Sequence, residues 1–170
     1  MKILLTGEPH VGKSTLLNKV ITGVRDKHGF VTNEVTKDGE RTGFELVSSN
    51  GKNAVLASID SKSDIRVSKY GVSVDRLDNL LTGLGDPNPR SLIYIDEIGQ
   101  MELYSEYFKE VTKEYLAKSN PFIGTLTSAY TDTFTKYLRS RNDIEIIHIT
   151  FENRDDITAE VKSRVAKCVH

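Results

Sequence analysis

The chain has 170 residues, of which 38% are hydrophobic, and a formal net charge of −1. That length predicts one domain, residues 1–170, with a buried core. The balance of 23 basic against 24 acidic residues argues against a dedicated polyanion-binding surface, so no nucleic-acid partner is expected. The single cysteine, Cys168, leaves no internal disulfide. No apolar run reaches the length of a membrane span, and the first strand begins almost at once. The expectation is a cytoplasmic, monomeric protein without a membrane partner.

Residues 2–6 read as a first strand. The stretch Gly7-Glu8-Pro9-His10-Val11-Gly12-Lys13-Ser14-Thr15 follows, then a helix over about 13–24 carrying Leu16, Leu17, Val20 and Ile21. Strand, glycine loop and helix form the context in which G-x-x-x-x-G-K-[ST] holds phosphate. Gly7 and Gly12 admit backbone conformations that a Cβ forbids. Successive N–H groups then face an anion at the positive end of the helix dipole. Lys13 is placed to reach the β- and γ-phosphates, Ser14 to ligate Mg²⁺, and Thr15 to add a donor near the α-phosphate. His10 stands where many such loops carry Gly. His tolerates positive φ better than most residues, so the loop can still close. A solvent-facing role is the plainer one for it, with a catalytic role as the alternative.

Residues 29–59 alternate in polarity. Phe30–Val35, Thr42–Val47 and Ala54–Ile59 are separated by the turn signals Asp38-Gly39 and Asn50-Gly51, which predicts an antiparallel meander inserted after the first helix. A short strand is expected over Arg66–Tyr70 and a short helix over Val74–Leu81. Gly83 to Pro89 reads as a loop. The pattern then returns to alternating strand and helix: Leu92–Ile95, a helix over 104–118, Phe122–Thr127, a helix over 131–140, Ile144–Ile149 and a helix over 154–167. Such alternation predicts an α/β fold, a mostly parallel sheet covered by helices, with ligands at the carboxyl ends of its strands.

The strand Leu92–Ile95 ends in Asp96-Glu97. With a phosphate loop upstream, Asp96 is expected to hold Mg²⁺ with Ser14, and Glu97 to orient or deprotonate the attacking water. Paired acids favour water as the acceptor over a substrate hydroxyl. The strand Phe122–Thr127 is expected between the loop strand and the acidic strand. Thr125 or Thr127 would then face the γ-phosphate, unless each serves only β propensity. The transferring phosphoryl needs a further cation. Arg41, Lys69, Arg139 and Arg141 are candidates, and Lys69, in Ser68-Lys69-Tyr70-Gly71, is the preferred catalytic one. Asn153-Arg154-Asp155-Asp156 superficially fits a guanine-reading pattern, which makes Asn153 a nucleotide-binding candidate. Capping of the last helix is its plainer role.

These pieces together resemble the small P-loop nucleoside-triphosphatases of the cancer-related and thermophilic type, nearly end to end. The specific runs are Lys69-Tyr70-Gly71-Val72 and Asp96-Glu97-Ile98-Gly99 with Met101-Glu102-Leu103, supported by Gly29–Thr32, Arg41–Phe44 and Asn153-Arg154-Asp155. The resemblance implies a RecA-like fold, Mg²⁺-dependent hydrolysis of nucleoside triphosphates, broad base tolerance, and nucleotide contacts from Ile95, Asp96, Glu97, Ile98, Gly99, Gln100, Met101 and Glu102. Departures from the family pattern are His10 for Gly, Asn33 for Glu, Thr36 for Arg, Ser68 for Gly and Gln100 for Lys. Those at Thr36 and Gln100 each remove a cation. The leading expectation is a nucleoside-triphosphatase. The alternatives are a kinase-type phosphotransferase and a nucleotide-dependent binding module.

Overall fold

The computed structural model describes residues 1–169. Strands β1 (Lys2–Thr6), β2 (Lys27–Lys37), β3 (Glu40–Ser48), β4 (Asn53–Ser58), β5 (Arg66–Val67), β6 (Tyr70–Val72), β7 (Leu92–Ile98), β8 (Phe122–Leu126) and β9 (Glu145–His148) form one sheet in the order β5-β6-β4-β3-β2-β7-β8-β1-β9. Helices α1 (Lys13–Ile21), α2 (Val74–Leu84), α3 (Glu106–Ala117), α4 (Thr133–Ser140) and α5 (Arg154–Cys168) cover it.

Alternation along the central strands fills both faces. Leu4, Ile93, Ile95 and Phe122 pack with Leu77 of α2, Phe108 and Leu116 of α3 and Leu138 of α4. Their neighbours Ile3, Leu5, Tyr94 and Ile123 pack with Leu16 and Leu17 of α1 and Val161 and Val165 of α5. Both faces of β1, β7 and β8 are dry, as helix-covered parallel strands require.

Strand β8 lies between β1 and β7, parallel to both, as expected. The antiparallel meander expected after the first helix is present, and it belongs to the same sheet. The first half of β2 pairs in parallel with β7, Lys27 opposite Leu92 through Val31 opposite Asp96. From Phe30 onward β2 also pairs antiparallel with β3. The meander therefore continues the nucleotide sheet past the acidic strand. The short strand expected over Arg66–Tyr70 is instead a tight hairpin, with Val67 opposite Tyr70 and Ser68 at φ 54. Strand β7 runs on through Asp96 and Glu97 to Ile98, so the acids lie within the strand and not beyond it. No helix among the described residues is long and apolar enough to cross a membrane.

Candidate active site

The loop after β1 closes through three positive φ values, Gly7 at 149°, His10 at 64° and Gly12 at 108°. It opens directly into α1, whose first residue is Lys13. The Lys13 ammonium donates to the carbonyls of Gly7 at 2.7 Å and Glu8 at 2.9 Å. Ser128, just past β8, donates to the same Gly7 carbonyl at 2.8 Å and ties the loop to the sheet. Burial holds the Lys13 pKa below its usual value, against the pull of Glu97 and Asp96.

Asp96 is 2% exposed. Its Oδ1 accepts from Ser14 at 3.0 Å and from Thr125 at 2.5 Å, while its Oδ2 is buried with no partner. Burial raises the Asp96 pKa in spite of these donors. A buried carboxylate oxygen without a partner is costly, and a cation placed against it and the Ser14 hydroxyl removes that cost. Oxygen ligands of this kind suit a hard divalent ion. No group of three or more His, Cys, Asp or Glu that could hold a metal occurs among the described residues.

Pairing between β7 and β8 shifts register between Ile95 and Ile98, and the Asp96–Glu97 peptide is cis. A bulge re-aims side chains, and here both acids line one cavity of about 770 Å³. Burial, then the neighbouring Asp96 carboxylate, pushes the Glu97 pKa up. Gly99 allows a third acid to approach. A β-carbon there would stand 2.6 Å from Glu97 Oε1 and 3.1 Å from Glu102 Oε2. Glu102 is 2% exposed and accepts from the Thr32 hydroxyl at 3.3 Å.

Burial, with Glu97 adding to it, lifts the Glu102 pKa from 4.5 to about 8. Between those values the folded chain keeps a proton that the unfolded chain has released, so this residue makes stability fall as pH rises through that window. Glu102→Gln removes the titration. Its denaturation midpoint is expected to match wild type near pH 4.5. By about pH 9 the variant should be more stable by on the order of 4 kcal/mol. A gap that does not widen with pH counts against a buried, neutral Glu102.

The cavity gathers Pro9, His10, Gly12, Lys13, Ser14, Thr15, Asp96, Glu97, Gln100, Met101 and Glu102, all expected there. Other expected contacts do not line it. The Gly7 and Glu8 carbonyls accept from Lys13, which does line it. Val11, Ile95 and Ile98 are core side chains, each at most 2% exposed, and Gly99 acts as the gap between two carboxyls. Asn153 is spent on its own turn: its Oδ1 accepts from the Thr150 amide at 2.8 Å and its Nδ2 donates to the His148 carbonyl at 2.9 Å. It precedes α5 but makes no side-chain cap bond. Lys69 sits on the β5–β6 turn with its ammonium 5.7 Å from the Tyr70 ring centroid, off the cavity wall.

Arg41, another of the candidate cations, does line the cavity. Among the described residues it is the one Arg or Lys besides Lys13 that lines the cavity. Its guanidinium stands over Phe44 and Tyr70 and bonds Glu34 at 2.7 Å and the Tyr70 hydroxyl at 3.0 Å. Arg139 and Arg141 have other work. Arg139 donates to the Thr127 carbonyl, and Arg141 chelates Asp143. Thr125 faces Asp96, whereas Thr127 reaches the cavity wall. Sequence reasoning missed Thr32, Asn33, Glu34, Phe44 and Ser128–Tyr130 on that wall. The last three were findable, because they follow the carboxyl end of β8 beside the loop strand.

The sequence profile of the NTPase family matches residues 2–162. The chain belongs to that family. Among curated members, the nucleoside-triphosphatase THEP1 of Thermotoga sp. (strain RQ2) is 36% identical over 165 residues, which cover 96% of this chain and 94% of that one. The cancer-related nucleoside-triphosphatase homolog of Mus musculus is 33% identical, covering 95% and 96%. The crystal structure of THEP1 from the hyperthermophile Aquifex aeolicus superposes with a TM-score of 0.86 at 32% identity, over 97% of this chain and 99% of that one. Within the NTPase family, then, this chain keeps the P-loop α/β sheet together with its antiparallel extension.

Proposed function

We propose that the chain, as one P-loop domain, hydrolyses nucleoside 5′-triphosphates to the diphosphate and phosphate with Mg²⁺. The observation that carries this reading is the buried, unpartnered Asp96 Oδ2 beside the Ser14 hydroxyl, at the mouth of the phosphate loop. The names of the relatives, all nucleoside-triphosphatases, support it.

In this mechanism the loop amides and Lys13 bind the β- and γ-phosphates. Ser14 and Asp96 would hold Mg²⁺, which supplies charge neutralisation on the phosphate oxygens. Glu97 orients a water against the γ-phosphorus and takes its proton as the new P–O bond forms and the bond to the β-phosphate oxygen breaks. Its upward-shifted pKa brings it closer to the range a base at neutral pH needs. Arg41 is the cation on the far wall toward which charge on the transferring phosphoryl can be drawn.

Phosphate release should be measured with ATP, GTP, CTP and UTP, with Mg²⁺ and with a chelator. Release from all four with Mg²⁺, and none with the chelator, is the expected result. Asp96→Asn should lower the Mg²⁺-dependent rate by about a hundredfold or more. A rate indifferent to metal removes Ser14 and Asp96 from the mechanism.

One observation favours phosphoryl transfer as a second reading. The cavity continues past Glu97 to Arg41, Phe44, Val67, Met101 and Tyr130, a mixed polar and aromatic compartment beyond the phosphate site. Incubating ATP with nucleosides and seeking a phosphorylated acceptor separates transfer from hydrolysis.

A further inference from the structure

We propose that Phe151, with Arg154 beneath it, is the platform on which the nucleobase stacks, and that this site holds bases by their faces without reading their edges. The proposal rests on the nucleoside-triphosphatase reading above.

The direction of the nucleotide follows from strand order. The acids Asp96 and Glu97 are on β7, two strands from β1 on one side, and β9 is next to β1 on the other. A γ-phosphate must face the acids to be attacked. The α-phosphate, ribose and base then run the opposite way across the loop, toward the end of β9. The chain there turns through Thr150–Asn153 into α5. Phe151 is at that turn, 63% exposed, and the next most exposed large hydrophobic side chain is Tyr104 at 42%. An isolated exposed aromatic needs no explanation by itself. This one is fastened to the phosphate loop. The Arg154 guanidinium lies 5.4 Å from its ring centroid and donates to the Val11 carbonyl at 3.5 Å. A β-carbon on Gly12 would be 3.6 Å from the same arginine side chain. The outer face of the ring is thus held at a set place relative to the loop that binds the phosphates.

Every base has a π-face, so stacking tolerates all of them. Asn153, the amide side chain on this turn, has both ends of its amide already bonded to backbone. Base tolerance then follows from this chain's own geometry: KM values for the four triphosphates should fall within about fivefold of one another.

The test compares Phe151→Ala and Phe151→Tyr with wild type in steady-state phosphate release on ATP, GTP, CTP and UTP. Inorganic tripolyphosphate serves as a competitor that has no base. Phe151→Ala should raise KM for all four by about tenfold and leave kcat within about twofold. Its inhibition constant for tripolyphosphate should not change, and Phe151→Tyr should behave as wild type. Unchanged KM values overturn the platform. So does a tripolyphosphate constant that rises with KM, which would mean Phe151 acts through the phosphate loop, and so does an effect confined to one base. Should wild-type protein release no phosphate, the hydrolase reading falls. The same comparison made on ATP dissociation constants by calorimetry still decides the platform.

Discussion

Glu97→Gln is expected to bind nucleotide as tightly as wild type, or more tightly, and to lose between about a hundredfold and ten-thousandfold in kcat. The amide matches the carboxylate in size and still accepts a hydrogen bond from water, but it cannot take a proton. Binding is spared because the phosphates are gripped by the loop, Lys13 and the Ser14–Asp96 corner, none of which depends on Glu97 for position. Removing a negative charge from beside a triphosphate also removes a repulsion. The fold tolerates the change, since the amide keeps the shape of the carboxyl and burial penalises a charge at this position. Calorimetry with ATP and Mg²⁺, beside single-turnover phosphate release, separates the two effects. A wild-type rate in this variant assigns the proton to another group.

Gly29→Ala is expected to be the most damaging single methyl in the chain. Gly29 has φ 150 and lies opposite Tyr94 where β2 meets β7. A β-carbon there would come 1.8 Å from the Tyr94 carbonyl oxygen and 2.8 Å from its carbon. Both atoms are backbone, so neither can rotate aside. Relief means separating the strands at the seam between the parallel core and the antiparallel extension, two residues from Val31 and its partner Asp96. The loss should exceed about 4 kcal/mol, with a fall in Tm of about 8 °C or more. Gly51→Ala is the control. Its φ is 81 with nothing within 4 Å, so only the backbone conformation is penalised, at a cost of about 1 kcal/mol. Equal losses in the two variants would show that the Tyr94 approach carries no weight.

The parts of the site visible in the sequence are those whose chemistry is local. The phosphate loop is contiguous, and its spacing alone requires positive φ at Gly7 and Gly12. Asp96 and Glu97, a common enough pair at a strand end, stand out because a phosphate loop lies upstream of them. What the sequence hid depends on pairing between distant segments. The alternation of Phe30–Val35 shows that Thr32 points to one face, but nothing in it says that Glu102 arrives at that hydroxyl. Nor does it reveal that Lys27–Val31 lies along β7, which makes the meander part of the nucleotide sheet. Lys69 and Arg41 look equivalent as isolated surface cations. The two-residue turn at Ser68 and Lys69 carries one off the cavity wall, while Phe44, Tyr70 and Glu34 hold the other on it. The bonds that hold the Asn153 amide in its turn are likewise invisible to pattern matching.

The placement of β1 also bears on how the chain acquires its fold. The strand that carries the phosphate loop is made early, yet its two sheet neighbours are β8 and β9, from the opposite end of the sequence. Until β8 has been synthesised, Lys2–Thr6 has no partner on either edge. Contacts of such high sequence separation slow the search for the native state. On the ribosome, affinity for a triphosphate should therefore emerge only after β8, well after the β2–β3 hairpin has closed.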